Sequence, residues 1–228
     1  MKTLKNTIFL LASSLVFVAC GSRDLGEKAQ VTDAKEVASV SGEEVTYAVN
    51  TENSIIEWIG SKPTGTHQGS LNIKSGELYV QGENIVGGKF ILDMRSIKNF
   101  DLEDSKMNDK LVNHLHSDDF FSTETYPEGI FEVTEAVPFD GMVAEGEITP
   151  THTIAGNLTI KDITRNVRFN TFVQFDDTGI TAETVPFVIN RAEYDVRFKS
   201  KSFFQNLQDD FIHDDIGLKI KLEATPRG

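Results

Sequence analysis

From residue 45 onward the chain is written in short apolar alternations separated by Gly, Asn and Pro, which is the pattern of antiparallel strands and not of strand-helix-strand units. Val45, Tyr47 and Val49 alternate with polar or small residues. Ile56, Trp58 and Gly60 share one face of the next run, and Leu71 and Ile73 open another. Leu78 and Val80 follow. Val86, Gly88, Phe90, Leu92 and Met94 then predict a long strand face, with Gly87 and Gly88 marking a bulge or bend. Phe131 with Val133 continues the series, as do Ile154, Gly156, Leu158 and Ile160, and then Val167, Phe169, Thr171, Val173 and Phe175. The last strand has the cleanest pattern. Ile216, Leu218, Ile220 and Leu222 alternate with Gly217, Lys219, Lys221 and Glu223, so one face is apolar and the other wet.

Two segments leave the two-residue period. Between residues 101 and 116, Met107, Leu111 and Leu115 recur every four residues, and Asp101, Glu103 and Asp104 lie near the start, where a helix dipole favours carboxylates. This predicts one amphipathic helix over 101–116. A shorter helix or turn is expected from Ser202 to Phe211, with Phe203, Phe204, Leu207 and Phe211 turned inward. About eight strands with one principal helix describe an all-β domain, a barrel or a sandwich. No internal repeat and no second domain boundary interrupt residues 45–228.

The first nineteen residues read differently. Lys2 and Lys5 precede an uncharged run from Ile8 to Ala19 that is too short to span a bilayer as a helix, as in an export signal. The run ends in Phe17-Val18-Ala19-Cys20, which resembles a bacterial lipoprotein signal, in which the cysteine is acylated and becomes the new amino terminus. Cys20 is the only cysteine, so an internal disulfide is excluded. Residues 20–44 are small, polar and charged, and predict a flexible tether between that anchor and a domain beginning at Val45.

Charge removes one class of partner. With 22 Lys and Arg against 35 Asp and Glu, the formal charge is -13, which repels phosphate backbones, so nucleic acid is not an expected partner. Common catalytic signatures are missing: no nucleophile elbow, phosphate-binding loop, dinucleotide fingerprint or zinc-protease helix motif is present. His114 and His116 stand closest to a metal pair, but on a helix residues two apart project about 200° apart and cannot converge on one ion. His67 falls in a predicted loop, and His152 and His213 have no partner pattern. Asp209, Asp210, Asp214 and Asp215 lack calcium-loop spacing and read as a solvated turn. Arg191, Glu193, Tyr194 and Asp195 read as a structural ion-pair network. No catalytic residue, metal site or cofactor is assigned. Sixteen Phe against four Tyr and one Trp describe an interior that either packs solid or lines a greasy cavity.

Several stretches occurring in order carry a family resemblance. They are Ser54 to Lys62 with Gly65-Thr66-His67-Gln68-Gly69, Gly87 to Met94, Lys110 to Leu115, Asp119-Phe120-Phe121 with Tyr126-Pro127, Gly156 to Thr164, and Asn190 to Tyr194. From about Val45 to the end the chain resembles the YceI-like family, exported bacterial proteins with a lipocalin-like barrel that bind polyisoprenoid or other long-chain lipids. Asn190, where Asp is commoner, and Ala192, where Thr or Ser is usual, depart from that pattern.

The resemblance implies a closed antiparallel barrel of about eight strands around an apolar cavity. It implies a lipid ligand held without catalysis, by a wall comprising Trp58, Phe90, Met94, Leu111, Leu115, Phe120, Phe121, Phe131, Leu158, Phe169, Phe203 and Phe204. With the anchor at Cys20, the expectation is a periplasm-facing lipoprotein of the cell envelope, on the outer membrane in preference to the inner because Gly21 follows the cysteine. Two alternatives stay open on sequence. One is a metal-assisted hydrolase using His67, His114 or His116; the other is an interaction lipoprotein with a solidly packed barrel.

Overall fold

The structure is a computed structural model that describes residues 25–37 and 40–227. The expected signal segment and Cys20 lie outside those residues. In chain order the elements are β1 (Glu27–Lys28), β2 (Gln30–Asp33), β3 (Val45–Val49), β4 (Ile55–Lys62), β5 (Gly65–Gln81), β6 (Asn84–Asn99), α1 (Ser105–His116), β7 (Glu128–Pro138), β8 (His152–Ile160), β9 (Ile163–Asp176), β10 (Gly179–Thr184), β11 (Phe187–Asn190) and β12 (Asp215–Pro226). Strands β4 to β10 pair in sequence order, β10 pairs with β12, and β12 returns to β4. The ring of eight antiparallel strands is therefore closed. Closure gives every strand of the ring a paired neighbour on both sides.

Two positions in the wall are filled by interrupted strands. β3 and β4 both lie between β5 and β12, with Val49 opposite Ala224 and Ile55 opposite Lys221, so residues 50–54 bulge out of one continuous strand path. β10 and β11 likewise run in succession along β12. The long strands β5 and β6 bend through three register shifts. At one of them Tyr79 faces Gly87 while Val80 faces Ile85. That slip places Ile85 on the inner wall in place of the expected Val86, because one extra residue inverts the alternation.

β12 shows the alternation the sequence describes. Ile216, Leu218, Ile220 and Leu222 face the interior. Lys219 and Lys221 point outward to Glu183 and Glu57, at 2.5 and 3.3 Å. The acidic exterior is thus laced by cross-strand pairs, each of small energetic weight at an exposed site.

The expected helix is shorter than its apolar spacing implied. Asp104 is the N-cap, its side chain accepting from the Met107 N–H at 3.0 Å, so α1 begins at Ser105, and Ser117 ends it. Met107 faces solvent at 52% exposure, while Leu111 and Leu115 face the barrel. Residues 202–211 form turns and no helix. Phe203 and Phe204 N–H groups both reach the Ser200 carbonyl, and the backbone is left-handed at Lys199 and Gln208.

The tether expected over residues 20–44 is corrected for its described part. β11 has left β9 where β10 ended, and residues 27–33 fill the seam: β1 pairs in parallel with β11, and β2 pairs antiparallel with β9. The segment is anchored beyond the strands too. Asn157, buried on β8, accepts from the Lys35 N–H at 3.0 Å and donates to the Lys35 carbonyl at 2.6 Å. Gly26 has φ +102, and a Cβ there would lie 2.2 Å from the Pro186 carbonyl oxygen, so this entry to the seam requires glycine. A polar sequence can serve here because the seam demands backbone hydrogen bonds more than buried side chains. A chain starting at Val45 is accordingly expected to unfold at lower urea than one starting at Leu25. At about 1 kcal/mol net per lost hydrogen bond, offset in part by the entropy of ordering the strap, the difference should reach a few kcal/mol, and equal midpoints would show the strap to be ornamental.

Candidate functional site

The ring encloses a cavity of about 930 Å³. Its deep wall is made of side chains that strand alternation turns inward, among them Ile73, Leu78, Ile85, Val173, Ile180 and Leu222. Its exposed lining residues, Lys62, Thr64, Lys110, Gln208, Asp209 and Asp210, come from one end: the β4–β5 turn, α1, and the loop before β12. That end is the mouth. α1 lies across it and contributes Lys110, Leu111, His114 and Leu115 to the lining.

Aromatic side chains form two groups along the wall. Phe90, Phe131, Phe169 and Phe187 make a chain of ring contacts, with centroids 6.2, 5.8 and 4.4 Å apart and the last pair stacked. A Cβ on Gly156 would lie 2.3 Å from the Phe131 ring, so a glycine in β8 lets that ring lie across the strand. At the mouth, Phe120 packs near Phe121 and Phe198, and His114 meets both Phe120 and Phe198 edge-on at 5.0 and 4.5 Å. Trp58 donates from Nε1 to the Ser70 carbonyl at 3.3 Å and rests over Gly69.

Of the residues expected on the wall, Trp58, Phe90, Met94, Leu111, Leu115, Phe120, Phe121, Phe131, Leu158 and Phe169 line the cavity. Phe203 and Phe204 do not. They are 39% and 48% exposed, and Phe203 lies beneath the Arg197 guanidinium at 4.9 Å. Without a helix the loop has no inward stripe, and it places only Leu207 and Phe211 of the four expected residues on the lining. Beyond Leu111, Leu115 and Leu158, sequence reasoning missed the aliphatic share of the wall, and also Phe187, Tyr194 and Phe198. The inward members of β8, β9 and β12 were available from the same alternation that defined the strands.

The mouth loop is held by one buried cation. Arg191 is 2% exposed and sits at the start of a short 3-10 turn after β11, where Asn190 caps the Ala192 N–H. Its guanidinium donates to the carbonyls of Val196 and Phe198 at 2.9 Å, Ile212 at 3.1 Å and His213 at 3.2 Å. Asp214 stands 3.1 Å from Nη2. Burial works against the charge on Arg191, and the Asp214 carboxylate supports it. Asp214 in turn accepts from the hydroxyls of Ser200 and Ser202. The network read from Arg191, Glu193, Tyr194 and Asp195 is therefore centred on Arg191 and Asp214.

The histidines do not converge. His67 Nδ1 lies 2.8 Å from Asp101 and His114 Nε2 lies 3.0 Å from Asp119, both at the mouth, whereas His116 contacts Thr123 and is off the lining. Burial lowers the pKa of His116, keeping its ring neutral. Among the described residues no three His, Cys, Asp or Glu side chains are grouped to hold a metal ion, so the geometry offers the hydrolase alternative no support.

Asp101 pins the rim. It accepts from the Gln68 N–H at 2.7 Å and the Asn99 amide at 2.6 Å as well as facing His67. Partial burial pushes its pKa up, but the hydrogen bonds from Gln68, His67 and Asn99 outweigh that and hold it below the ordinary aspartate range. A carboxylate with a lowered folded-state pKa stabilises the fold above its unfolded value, and that contribution is lost as pH falls through the lowered one. Asp101→Asn should therefore destabilise the chain at neutral pH, and the gap to wild type should close below the ordinary aspartate range. A gap unchanged by acid would assign the effect to packing.

The model for the YceI-like domain matches residues 47–224. BcnA of Burkholderia cenocepacia shares the fold with a TM-score of 0.59 at 19% identity, over 78% of this chain and 99% of that one. A polyisoprenoid binding domain from Saccharophagus degradans, described as implicated in plant cell wall breakdown, aligns with a TM-score of 0.55 at 14% identity, over 80% of this chain and 99% of that one. No curated protein matches the sequence.

Proposed function

The chain belongs to the YceI-like domain family, and from that premise we propose that it holds a long-chain lipid, isoprenoid or fatty, inside its barrel and sequesters or carries it in the cell envelope. The observation that carries this reading is the cavity itself: about 930 Å³, ringed by a continuous sheet and walled mainly by apolar side chains. That size lies near the top of the range of roughly 300–1,000 Å³ for small-molecule sites. The void counts against the solidly packed alternative. The neighbour described as a polyisoprenoid binding domain supports the choice of ligand class.

The energetics suit a carrier. Burying ten methylene equivalents contributes about 8 kcal/mol gross at ~0.8 each, which corresponds to a dissociation constant of about 1 µM before ordering costs. Such a grip needs no directional contact and permits release. Nothing in the histidine or carboxylate geometry supports a reaction, so binding is the whole proposed activity. A saturable site for a fluorescent fatty probe, displaced by polyprenol, is expected in titrations of the purified chain, and failure to saturate would remove the lipid reading.

Location rests on the sequence of residues 1–20. We place the protein on the periplasmic side of a membrane, the outer in preference to the inner, through acyl groups on Cys20, since two or more chains are needed for stable anchoring. Cys20→Ser should release it to the soluble fraction, and equal retention on membranes would contradict the anchor.

A further inference from the structure

The rim of the mouth is more apolar than a solvated surface requires. Phe100, Phe203 and Phe204 are the three phenylalanines exposed among the described residues, at 59%, 39% and 48%, and all belong to this end, as does Met107 at 52%. Phe100 follows β6, Met107 stands on α1, and Phe203 and Phe204 lie in the loop before β12. In that loop residues 201–206, Lys-Ser-Phe-Phe-Gln-Asn, are exposed throughout and carry a single charge, the lysine. Exposed apolar side chains gathered around an opening mark a contact with another surface.

The opposite end is built otherwise. Its connections, 82–83, 139–151 and 177–178, contain Glu83, Asp140, Glu145, Glu147 and Asp177 and no lysine or arginine. The exposed Met142 and Ile148 of that end therefore stand in connections charged only by carboxylates. The mouth mixes both signs: Lys62, Lys106, Lys110 and Lys201 are exposed, and so are Glu103, Asp104, Asp109, Asp209 and Asp210. Lysines can meet lipid phosphates while their stems follow apolar surface, but with the signs mixed it is the apolar side chains that supply the attraction.

The chain leading into the barrel points to the same end. Ile216 and Leu218 line the cavity, so Gly217 between them faces outward, and there a Cβ would lie 2.8 Å from the Leu25 carbonyl oxygen. Gly217 is two residues from Asp215, where β12 leaves the mouth, and nine from Pro226 at the opposite end. From Cys20 to Leu25 is five residues, a reach of at most about 18 Å in any conformation. Nine strand residues at about 3.3 Å each, tilted about 40° to the barrel axis, rise about 23 Å. A barrel standing on its opposite end would hold Leu25 out of reach of an anchor at Cys20, whereas a barrel with its mouth down holds it within reach.

We propose that the mouth is a membrane-docking face: Phe100, Met107, Phe203 and Phe204 seat in the interfacial layer of the bilayer that holds the acyl anchor, and the cavity opens onto lipid. The inference rests on the proposed anchor at Cys20 and goes beyond it by fixing which face the barrel turns to the membrane. A lipid then passes between bilayer and cavity without its chain crossing water, where its apolar surface would be exposed.

The test uses the full acylated chain in vesicles of phosphatidylethanolamine and phosphatidylglycerol doped with a nitroxide-bearing lipid. Acylation consumes Cys20, the only cysteine, so one engineered cysteine takes a fluorophore at a single position. A label at Met107→Cys should be quenched and shifted to the blue. A label at Met142→Cys, a position 99% exposed at the opposite end, should be neither. Phe203→Ser combined with Phe204→Ser changes only exposed side chains, so melting should be unaltered while most of the quenching at position 107 is lost. Equal quenching at the two positions, quenching at 142 alone, or no effect of the serine pair would each overturn the docking face. An acylated chain that stays on the vesicles with neither label quenched would overturn it and leave the anchor standing. An intact mass without a diacylglyceryl group on Cys20 would bring down the anchor and this orientation together.

Discussion

Replacing Arg191 with methionine is expected to lower the stability of the chain by about 3–5 kcal/mol, the usual penalty for breaking a buried ion pair by removing one partner. The substitution leaves the Val196, Phe198, Ile212 and His213 carbonyls without their donor and the Asp214 carboxylate without its counter-charge. Those carbonyls bracket the loop that forms one side of the mouth, so the loss is felt there first. Lysine should rescue little. A single ammonium offers three donors from one point, whereas the planar guanidinium reaches acceptors on both flanks of the loop at once. Urea unfolding followed by Trp58 fluorescence measures the change, and a loss under 1 kcal/mol would mean that the loop is organised without the clamp.

Filling the cavity should have the opposite profile, with the fold kept and the function lost. Ala182 lies on the inner wall of β10, flanked by Val173 and Leu222 on the neighbouring strands. A tryptophan there extends into empty space and so avoids most of the strain that overpacking brings in a solid core. Ala182→Trp is expected to melt within a few degrees of wild type and to bind a fluorescent fatty probe at least tenfold more weakly. If the variant bound as tightly as wild type, the lipid would not occupy the barrel interior. If it failed to fold, the space would be tighter than the structure shows.

What the sequence disclosed follows a physical line. β12 was legible because each position has one environment, cavity or water, and four aliphatic residues against two lysines and a glutamate express it. The all-β domain followed from the same alternation, α1 from a four-residue recurrence, and the closed barrel with most of its aromatic wall from the resemblance. Val86 was misplaced because a bulge inverts the period, and a bulge is decided by pairing with β5 and not by residue type. Met107 sits at the right spacing for an inward stripe, but α1 lies across an open mouth and its first turn has nothing to cover. Phe203 and Phe204 are apolar residues in a turn, and one finds a cation in place of a core. Residues 27–33 read as tether because their role is to supply backbone hydrogen bonds to a seam, which leaves no apolar signature. Whether the Phe residues of the domain fill a barrel or line it depends on the sum of all inward volumes around the ring, a quantity that no local pattern carries.

The measurement closest to the central claim is native mass spectrometry of the chain purified gently from cells that make it, followed by solvent extraction of whatever it carries. The account predicts one lipid per chain, released on denaturation, with a long hydrocarbon tail. A chain that flies bare, and that takes up no polyprenol or fatty lipid when mixed with them, would contradict it.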